Sequence, residues 1–340
     1  MEYRTLGATG AAVSTYALGT MTFGAETDEE HSHEQLDSFL DAGGTLVDTA
    51  DVYTAGASEE IVGRWLDDRP SDVTDRVVLA TKARFPMGDD ANDSGLSRRH
   101  LTRALEASLR RLRVDCVDLY QVHAWDPLTP VEETLGFFDD AVRAGKIRYA
   151  GLSNFTGWQV QKTVDIAEHR RLTRPVTLQP QYNLLAREIE WEVVPACLEN
   201  GLGLLPWSPL GGGWLTGKYT REQRPTGATR LGEDPQRGVE AYDKRSASER
   251  TWAVVDAVQA VAEARGTSMA AVALAWVHDR PAVSSVILGA RTTEQLAANL
   301  AATGLHLTPE ETARLDAASD PAPADYPYGP AGREQRERAL

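Results

Sequence analysis

The sequence predicts an α/β fold, a (β/α)8 TIM barrel with a long loop after the seventh strand and helices at the C-terminus. Eight short apolar runs bounded by turn residues recur along the 340 residues. Their hydrophobicity is nearly continuous rather than alternating, which is typical of parallel strands buried on both faces. Amphipathic helical stretches separate the runs, and eight βα units fit a barrel of this length.

The predicted strands follow one another along the whole chain. They lie at 14–20, 45–50, 77–82, 116–123, 149–154, 176–183, 202–210 and 283–290. Helical spacing of apolar residues is clear in two of the intervening stretches, at Val131, Leu135, Phe138 and Val142, and at Val254, Val258 and Val261. Phrases such as "DAGGTLVDT" and "RAGKIRYAG" predict a helix, a glycine cap and then a strand.

Two regions interrupt this alternation within what we predict to be a single barrel domain over residues 1–340. Residues 211–247 are rich in Gly, Pro, Arg and acidic residues. Loops this long in a compact domain tend to be functional, so we expect this one to close over a bound ligand. The tail at 320–340 is not expected to pack as a regular element.

Composition excludes several classes of partner. The formal charge is −15, from 35 basic and 50 acidic residues, and such a field disfavours nucleic acid and anionic membranes. The chain start has no apolar signal core and no later run suits a membrane span, so we expect a cytoplasmic location. The oligomeric state is left open. We expect no metal site, because the two cysteines lack ligand spacing and His31 and His33 do not share a helix face.

Polar residues end three successive predicted strands, where the active site of a parallel barrel lies. They are Asp48, Lys82 and His123, and Tyr53 follows Asp48 on its loop. A tyrosine with a pKa near 10 is a poor proton donor at neutral pH. A nearby ammonium would lower that pKa, and a carboxylate would hold the ammonium in place. The set therefore indicates proton transfer to a carbonyl oxygen.

Each of these residues also has an ordinary explanation when it is taken alone. Asp48 could be a turn residue, Lys82 a solvated strand end, His123 a structural histidine and Tyr53 a surface residue. Their joint occurrence in this order favours catalysis. A different chemistry, in which Lys82 is a Schiff-base nucleophile as in barrel aldolases, remains an alternative.

Eight ordered motifs resemble the aldo-keto reductase family over nearly the whole chain to about residue 300. They include "DTADVYTAGASEEIVGRWL", "LATKARF", "DLYQVHAWD", "GLSNF", "QPQYNLL", "LLPWSPLGGGWLTGKY" and "ILGARTTEQLAANL". The resemblance implies an NADP-dependent oxidoreductase that reduces an aldehyde or ketone carbonyl to an alcohol. The family's catalytic tetrad falls on Asp48, Tyr53, Lys82 and His123, with Tyr53 as the proton donor.

The same resemblance implies cofactor contacts. Ser153, Asn154 and Gln179 would hold the nicotinamide carboxamide, and Trp207 would stack on the ring. The remaining cofactor residues would be Thr20, Met21, Ser208, Leu210, Gly212, Lys218, Arg230, Gly289, Arg291, Gln295 and Asn299. Arg291, expected to open a helix, would suit a 2′-phosphate, which favours NADPH over NADH. Ala298 departs from the family, in which many relatives carry an acidic residue there.

Phe23 and Trp125, with Trp214 as a further candidate, would give the substrate pocket an aromatic wall. The sequence does not choose among xenobiotic aldehydes, 2-keto sugars and nucleotide-linked deoxysugars. It also resembles potassium-channel beta subunits. An NADPH-binding, redox-sensing regulatory module with little turnover is therefore the alternative function. The chain lacks a GxGxxG motif after a strand, so a Rossmann cofactor site is unsupported.

Overall fold

The computed structural model describes residues 1–221, 224–227, 230–236 and 238–336. An antiparallel hairpin of β1 (Tyr3–Thr5) and β2 (Ala12–Ser14) comes first. Eight strands then form one parallel sheet: β3 (Tyr16–Gly19), β4 (Leu46–Asp48), β5 (Val78–Ala83), β6 (Val117–Val122), β7 (Ile147–Ser153), β8 (Pro175–Gln179), β9 (Gly203–Leu204) and β10 (Val286–Leu288). Each of the eight predicted strands contains or overlaps one of them.

The sheet curls until its two edge strands, β9 and β10, lie next to each other. The strands β3 to β9 are neighbours in chain order, and β10 pairs with β3. On the other side of β10, the amides of Ser284 and Ile287 donate to the carbonyls of Leu204 and Pro206, over 2.9 and 3.0 Å. These contacts join the β9 and β10 segments, and the predicted TIM-barrel fold is confirmed.

Helices follow most of the strands. Those up to β9 are α1 (Glu29–Asp41), α2 (Ala57–Asp68), α3 (Ser71–Thr74), α4 (Arg98–Leu112), α5 (Val131–Arg143), α6 (Gly157–Arg170) and α7 (Val193–Glu199). Those after it are α8 (Arg230–Glu233), α9 (Tyr242–Ser246), α10 (Glu249–Arg265), α11 (Met269–His278), α12 (Thr293–Leu300), α13 (Pro309–Ser319) and α14 (Pro330–Glu334). Within the described ranges, none of them combines the length and apolarity needed to cross a membrane.

Glycines end several helices as the sequence predicts. Gly43 follows α1 with φ +85°, Gly145 follows α5 with φ +71° and Gly201 follows α7 with φ +66°. A residue with a Cβ is strained in this left-handed region, so glycine allows the chain to leave the helix and enter the next strand.

The core has two parts. A smaller cluster, built from the strands and the hairpin, contains Leu6, Val13, Ala17, Leu46, Ala80, Leu119, Leu205 and Ile287. A larger cluster includes the alternate strand positions, such as Val47 and Val122, and the apolar faces of helices, such as Phe138 of α5. Because successive strand side chains point to opposite faces, one set fills the barrel and the other packs under the helices.

The two irregular regions contain more structure than predicted. The long loop holds a 3-10 helix at Gly211–Thr216, α8, a second 3-10 helix at Gly238–Glu240 and α9. In the tail, the Tyr328 ring stacks on Trp191 at a centroid distance of 5.3 Å, and α14 follows. The expectation of an unpacked tail is therefore wrong for this part, because the stacking partner lies far away in sequence. Residues 337–340 of that tail lie outside the described ranges.

Candidate active site

A buried ammonium joins Asp48 to Tyr53 at the carboxyl ends of β4 and β5. Lys82 Nζ donates to Asp48 Oδ2 over 2.8 Å, to the Thr49 carbonyl over 2.7 Å and to Tyr53 Oη over 3.2 Å. Lys82 is fully buried. Its three N–H bonds all have acceptors, so the structure brings together three of the four predicted catalytic residues.

Burial and the neighbouring charges set the pKa values of Lys82 and Tyr53. Burial lowers the pKa of Lys82, but Asp48 and Tyr53 raise it more, so the pKa lies above its ordinary value and Lys82 stays charged. The pKa of Tyr53 is also raised, because burial outweighs the lowering by Lys82. The expectation of a net lowered tyrosine pKa is wrong for this structure, since it considered the ammonium and omitted desolvation.

Two glutamines hold the second oxygen of Asp48. Gln179 Nε2 donates to Asp48 Oδ1 over 2.9 Å, and Gln121 Nε2 donates to the same atom over 3.3 Å. The backbone carbonyl of Gln179 accepts a hydrogen bond from Ser153 Oγ over 2.9 Å. The sequence interpretation missed Gln121. The sequence could have indicated Gln121 through its position two residues before His123, because residues two apart along a strand point to the same face.

His123 completes the tetrad from the end of β6. Its ring meets the Tyr53 ring edge-on at a centroid distance of 5.9 Å and the Phe85 ring at 4.8 Å. Burial, together with the charges of Lys82 and Arg84, lowers the pKa of His123 to about 2, so the imidazole is neutral. Its Nδ1 is buried without a hydrogen-bond partner among the described residues. Phe85 was not predicted, although it lies in the "LATKARF" motif.

Asn154 links the tetrad to Trp207. The indole Nε1 donates to Asn154 Oδ1 over 3.0 Å, while Asn154 Nδ2 donates to the His123 carbonyl over 2.9 Å and to Ser153 Oγ over 3.1 Å. Asn154 has a φ of +56°. A strained backbone fixed by three hydrogen bonds is typical of a binding position. The predicted carboxamide residues and the predicted stacking ring therefore lie together beside Asp48.

A tight backbone turn follows Trp207. Ser208 has φ +55°, and Gly211, Gly212 and Gly213 all have positive φ. A Cβ at Gly213 would lie 2.2 Å from Lys218 Cε, so the lysine packs directly against this backbone. The amides of Gly211 and Gly213 donate within the turn, to the carbonyls of Ser208 and Leu210, so the lysine beside this backbone is the group of the turn best suited to a phosphate. Leu210 immediately precedes the Gly211–Thr216 3-10 helix, and the side chain of Arg230 lies outside the described part of the chain.

The residues predicted for the adenosine end also cluster. The Arg291 amide donates to Gln295 Oε1 over 3.0 Å, and Asn299 Nδ2 donates to the Gly289 carbonyl over 3.3 Å. A Cβ at Gly289 would meet nothing within 4 Å, so its surface is open. The helix α12 begins at Thr293 with Thr292 as its N-cap, so Arg291 precedes the helix instead of opening it.

The remaining predicted residues differ in their access to the mouth of the barrel. Thr20 is buried and its amide donates to the Asp48 carbonyl over 3.0 Å, whereas Met21 is 41% exposed. Trp125 is half-buried, edge-on to Phe155. Phe23 is fully buried in the core, so its role as a substrate contact would require the ring to become exposed.

Trp214, the further candidate for the aromatic wall, does not reach the surface. It is fully buried and stacks on Tyr242 at a centroid distance of 5.4 Å. Its indole Nε1 donates to the Glu240 carbonyl over 3.0 Å. These contacts assign Trp214 to anchoring the long loop instead of lining a pocket.

The model of the aldo/keto reductase family matches residues 16–320. This chain belongs to the aldo/keto reductase family. It is 39% identical to an uncharacterised oxidoreductase, YrpG, of Bacillus subtilis, with 91% of this chain and 93% of that protein covered. A probable voltage-gated potassium channel subunit beta of rice is 37% identical, with 93% and 96% covered. Versiconal hemiacetal acetate reductase of Aspergillus parasiticus is 34% identical, with 93% and 96% covered.

Membership makes the protein an oxidoreductase of a family that generally uses NAD(P)H for carbonyl reduction. The residues around the mouth of the barrel fit such a cofactor. The Asn154 amide lies beside the Trp207 indole, the glycine turn with Lys218 follows, and Arg291 comes after the last strand. The aldolase alternative is disfavoured by the charge on Lys82. A nucleophilic amine needs a free electron pair, whereas this nitrogen donates to three acceptors.

Proposed function

We propose that this aldo/keto reductase catalyses the NADPH-dependent reduction of an aldehyde or ketone to an alcohol, with Tyr53 as the proton donor. The observation that supports this most directly is the hydrogen bond from Lys82 Nζ to Tyr53 Oη, 3.2 Å long. Because the lysine donates to the phenol oxygen, the hydroxyl hydrogen remains available for another acceptor. A substrate carbonyl oxygen beside Tyr53 is that acceptor.

The other tetrad residues serve this proton transfer. Lys82 stabilises the phenolate that Tyr53 becomes, and Asp48 keeps Lys82 charged and oriented. His123 is neutral and borders Tyr53, so a ring nitrogen can hydrogen-bond the same carbonyl oxygen without adding a charge. When bound, the reduced nicotinamide supplies a hydride to the carbonyl carbon.

Three groups of residues would hold the cofactor. Ser153, Asn154 and Gln179 would bind the carboxamide, with Trp207 on the ring. The turn from Ser208 to Gly212, with Leu210 and Lys218, would bind the pyrophosphate, and Arg230 is proposed from sequence alone. Gly289, Arg291, Gln295 and Asn299 would bind the adenosine 2′-phosphate, because a guanidinium suits a phosphate dianion. Thr20 and Met21 would border the cofactor, and residues 211–247 would cover it.

The substrate would be a small carbonyl compound with an apolar or sugar-like face. Trp125 and Phe85 are half-buried near the tetrad, and Trp158 adds a ring that is 56% exposed at a centroid distance of 5.3 Å from Trp125. Aromatic walls of this kind bind such faces without requiring a charge. Phe23 remains a proposed contact that depends on its ring becoming exposed.

Steady-state loss of NADPH absorbance with a panel of aldehydes, ketones and keto sugars tests the proposal. We expect saturable turnover with at least one carbonyl, at a kcat of about 1 s⁻¹ or more. Quenching of tryptophan fluorescence measures the NADPH Kd on the same sample. Tight NADPH binding without turnover on any carbonyl would contradict the reductase proposal. It would favour a redox-sensing module, the function that the similarity to a channel beta subunit makes plausible.

A further inference from the structure

We propose that the end of the barrel opposite the tetrad carries a site for a divalent transition-metal ion, formed by His278, Asp279 and His306. His278 ends α11, and its ring stacks on Tyr16, the first residue of β3, at a centroid distance of 5.4 Å. The tetrad lies at the carboxyl ends of the strands, whereas this cluster lies at an amino end. The proposal therefore does not depend on the reductase function.

The three residues converge on one carboxylate oxygen. Asp279 Oδ1 lies 2.8 Å from His278 Nδ1 and 3.1 Å from His306 Nδ1. One potential ligand atom from each residue lies within 4.8 Å of the others, and this is the one group of three His, Cys, Asp or Glu residues with that property in the described ranges. The sequence did not indicate it, because His306 is separated from Asp279 by the whole of α12.

The separations are close to those of a coordinated ion. Zinc bonds to nitrogen and oxygen are about 2.0–2.2 Å, which separates the ligands of a tetrahedral ion by roughly 3.4 Å. The two separations from Asp279 Oδ1 are slightly shorter than this. His306 is 51% exposed on the connection between α12 and α13. The three atoms lie within 4.8 Å of one another, so coordination requires the exposed Asp279 carboxylate to move away from His278 as well as a shift of the His306 ring.

Glu2 accepts the hydrogen bonds that metal-binding histidines usually donate from their other ring nitrogen. Its carboxylate faces the other nitrogen of each ring, with Oε1 at 2.9 Å from His306 Nε2 and Oε2 at 3.5 Å from His278 Nε2. When Nδ1 binds a metal, Nε2 carries a hydrogen and usually donates it to a carboxylate. One carboxylate would thus orient both imidazoles with Nδ1 towards the ion.

A neighbouring arginine contacts the proposed site and reduces its net negative charge. Arg4 Nη1 donates to the carbonyls of His278 and Val283 over 2.6 and 2.9 Å. Its Nη2 lies 3.4 Å from both ring nitrogens of His278 and 3.9 Å from Asp279 Oδ1, so a bound ion requires this end of the guanidinium to move away from Nδ1. Asp279 and Glu2 carry two negative charges against the one positive charge of Arg4, so the site still attracts a cation.

The ligand set selects the kind of ion. Two imidazoles and one carboxylate suit Zn²⁺, Co²⁺ or Ni²⁺ better than Mg²⁺ or Ca²⁺, which prefer oxygen ligands. Such an ion would join the chain start, the end of α11 and the segment before α13. Because these segments are distant in sequence, a bound ion would stabilise the folded barrel.

Isothermal titration of the full chain with ZnCl₂, after chelator treatment and without a polyhistidine tag, tests the site. We expect one equivalent to bind with a Kd at or below about 10 μM. At a free Zn²⁺ concentration of 100 Kd, the Tm should rise by about 4 °C. The visible spectrum of the Co²⁺ form should report nitrogen and oxygen ligands.

Variants separate a built site from an ordinary ion-pair network. His306→Ala should abolish the Zn²⁺-dependent Tm shift, and Glu2→Gln should raise the Kd by about 10- to 100-fold. His31→Ala is the matched control, because this exposed imidazole also pairs with one carboxylate, at 2.8 Å from Asp28 Oδ1. The proposal is overturned if no Zn²⁺ binds below about 1 mM. Binding that survives His306→Ala, or that His31→Ala weakens equally, would also overturn it.

Discussion

Arg291 Nη2 donates to both carboxylate oxygens of Glu233, each over 2.8 Å. The pair joins the segment before α12 to α8 of the long loop. Arg291 is also the residue proposed to bind the 2′-phosphate of NADPH, so Glu233 would compete with that phosphate for the guanidinium. Both side chains are partly exposed, at 25% and 42%, and ion pairs of this kind contribute about 0–1 kcal/mol.

Glu233→Gln should therefore lower the Kd of NADPH by up to about fivefold, because it removes the competing charge. The Kd of NADH should not change, since NADH lacks the 2′-phosphate. Arg291→Ala should have the opposite effect and weaken NADPH binding by at least about tenfold. Fluorescence titration with both cofactors measures these values. Equal changes for NADPH and NADH in either variant would contradict the role of Arg291.

Lys82→Met should destabilise the protein by about 3–5 kcal/mol, because it leaves Asp48 buried without its countercharge. Asp48 is 2% exposed, and among the described residues the two glutamine amides are the side-chain donors that would remain on its carboxylate. Urea denaturation measures the free energy of unfolding. The double variant Asp48→Asn/Lys82→Met should be more stable than Lys82→Met alone. Additive effects of the two substitutions would argue against the buried pair.

Asp51 should make the protein less stable as the pH rises. It is fully buried, and neither carboxylate oxygen has a hydrogen-bond partner within the part of the chain that the structure describes. Burial and the nearby Glu59 raise the pKa of Asp51 to about 7, from 3.8. The folded state therefore binds more protons than the unfolded state between these values. The resulting stability is present at low pH and is lost as the pH rises through about 7.

Asp51→Asn removes this dependence, so its stability relative to the wild type should be greater at pH 8 than at pH 5 by about 3 kcal/mol. Comparing the two proteins at each pH cancels the titration of other groups. Asp165→Asn, at an exposed position on α6, is the control for the substitution itself. A pH-independent difference for Asp51→Asn would mean that Asp51 is ionised throughout.

The pH profile of kcat/KM should show no inflection from His123. The pKa of His123 is lowered to about 2, and the pKa values of Tyr53 and Lys82 are raised above their ordinary values. These groups keep one protonation state from roughly pH 5 to 9. Asp51 can add an inflection near its own pKa, so the profile is measured in Asp51→Asn as well. An inflection near 6.5 that persists in that variant would contradict a neutral His123.

The features that local sequence determines were predicted well. Each barrel strand is a short apolar run, and polar residues mark the carboxyl ends of five of them, at Asp48, Lys82, His123, Ser153 and Gln179. Parallel topology then brings those ends together, which is why the sequence alone groups Asp48, Lys82 and Tyr53. Their proximity follows from the fold, because the carboxyl ends of all the strands of a parallel barrel lie at the same end of it.

The features that depend on long-range contacts were missed. Nothing near Glu233 in sequence indicates Arg291, and nothing near Glu2 indicates His306. The net pKa of Tyr53 depends on how much water the surrounding residues exclude, which a motif does not state. The absence of a hydrogen-bond partner for the Asp51 carboxylate among the described residues has the same cause, because a carboxylate after a strand is usually solvated or paired.

The role of Tyr53 as the proton donor is measured by kcat for NADPH oxidation in Tyr53→Phe. We expect a kcat lower by about 10²- to 10⁴-fold, with an NADPH Kd within about twofold of the wild type. Tyr149→Phe, which removes a phenol hydroxyl from β7 away from the tetrad, should retain full turnover. A kcat of Tyr53→Phe within about threefold of the wild type would contradict Tyr53 as the proton donor.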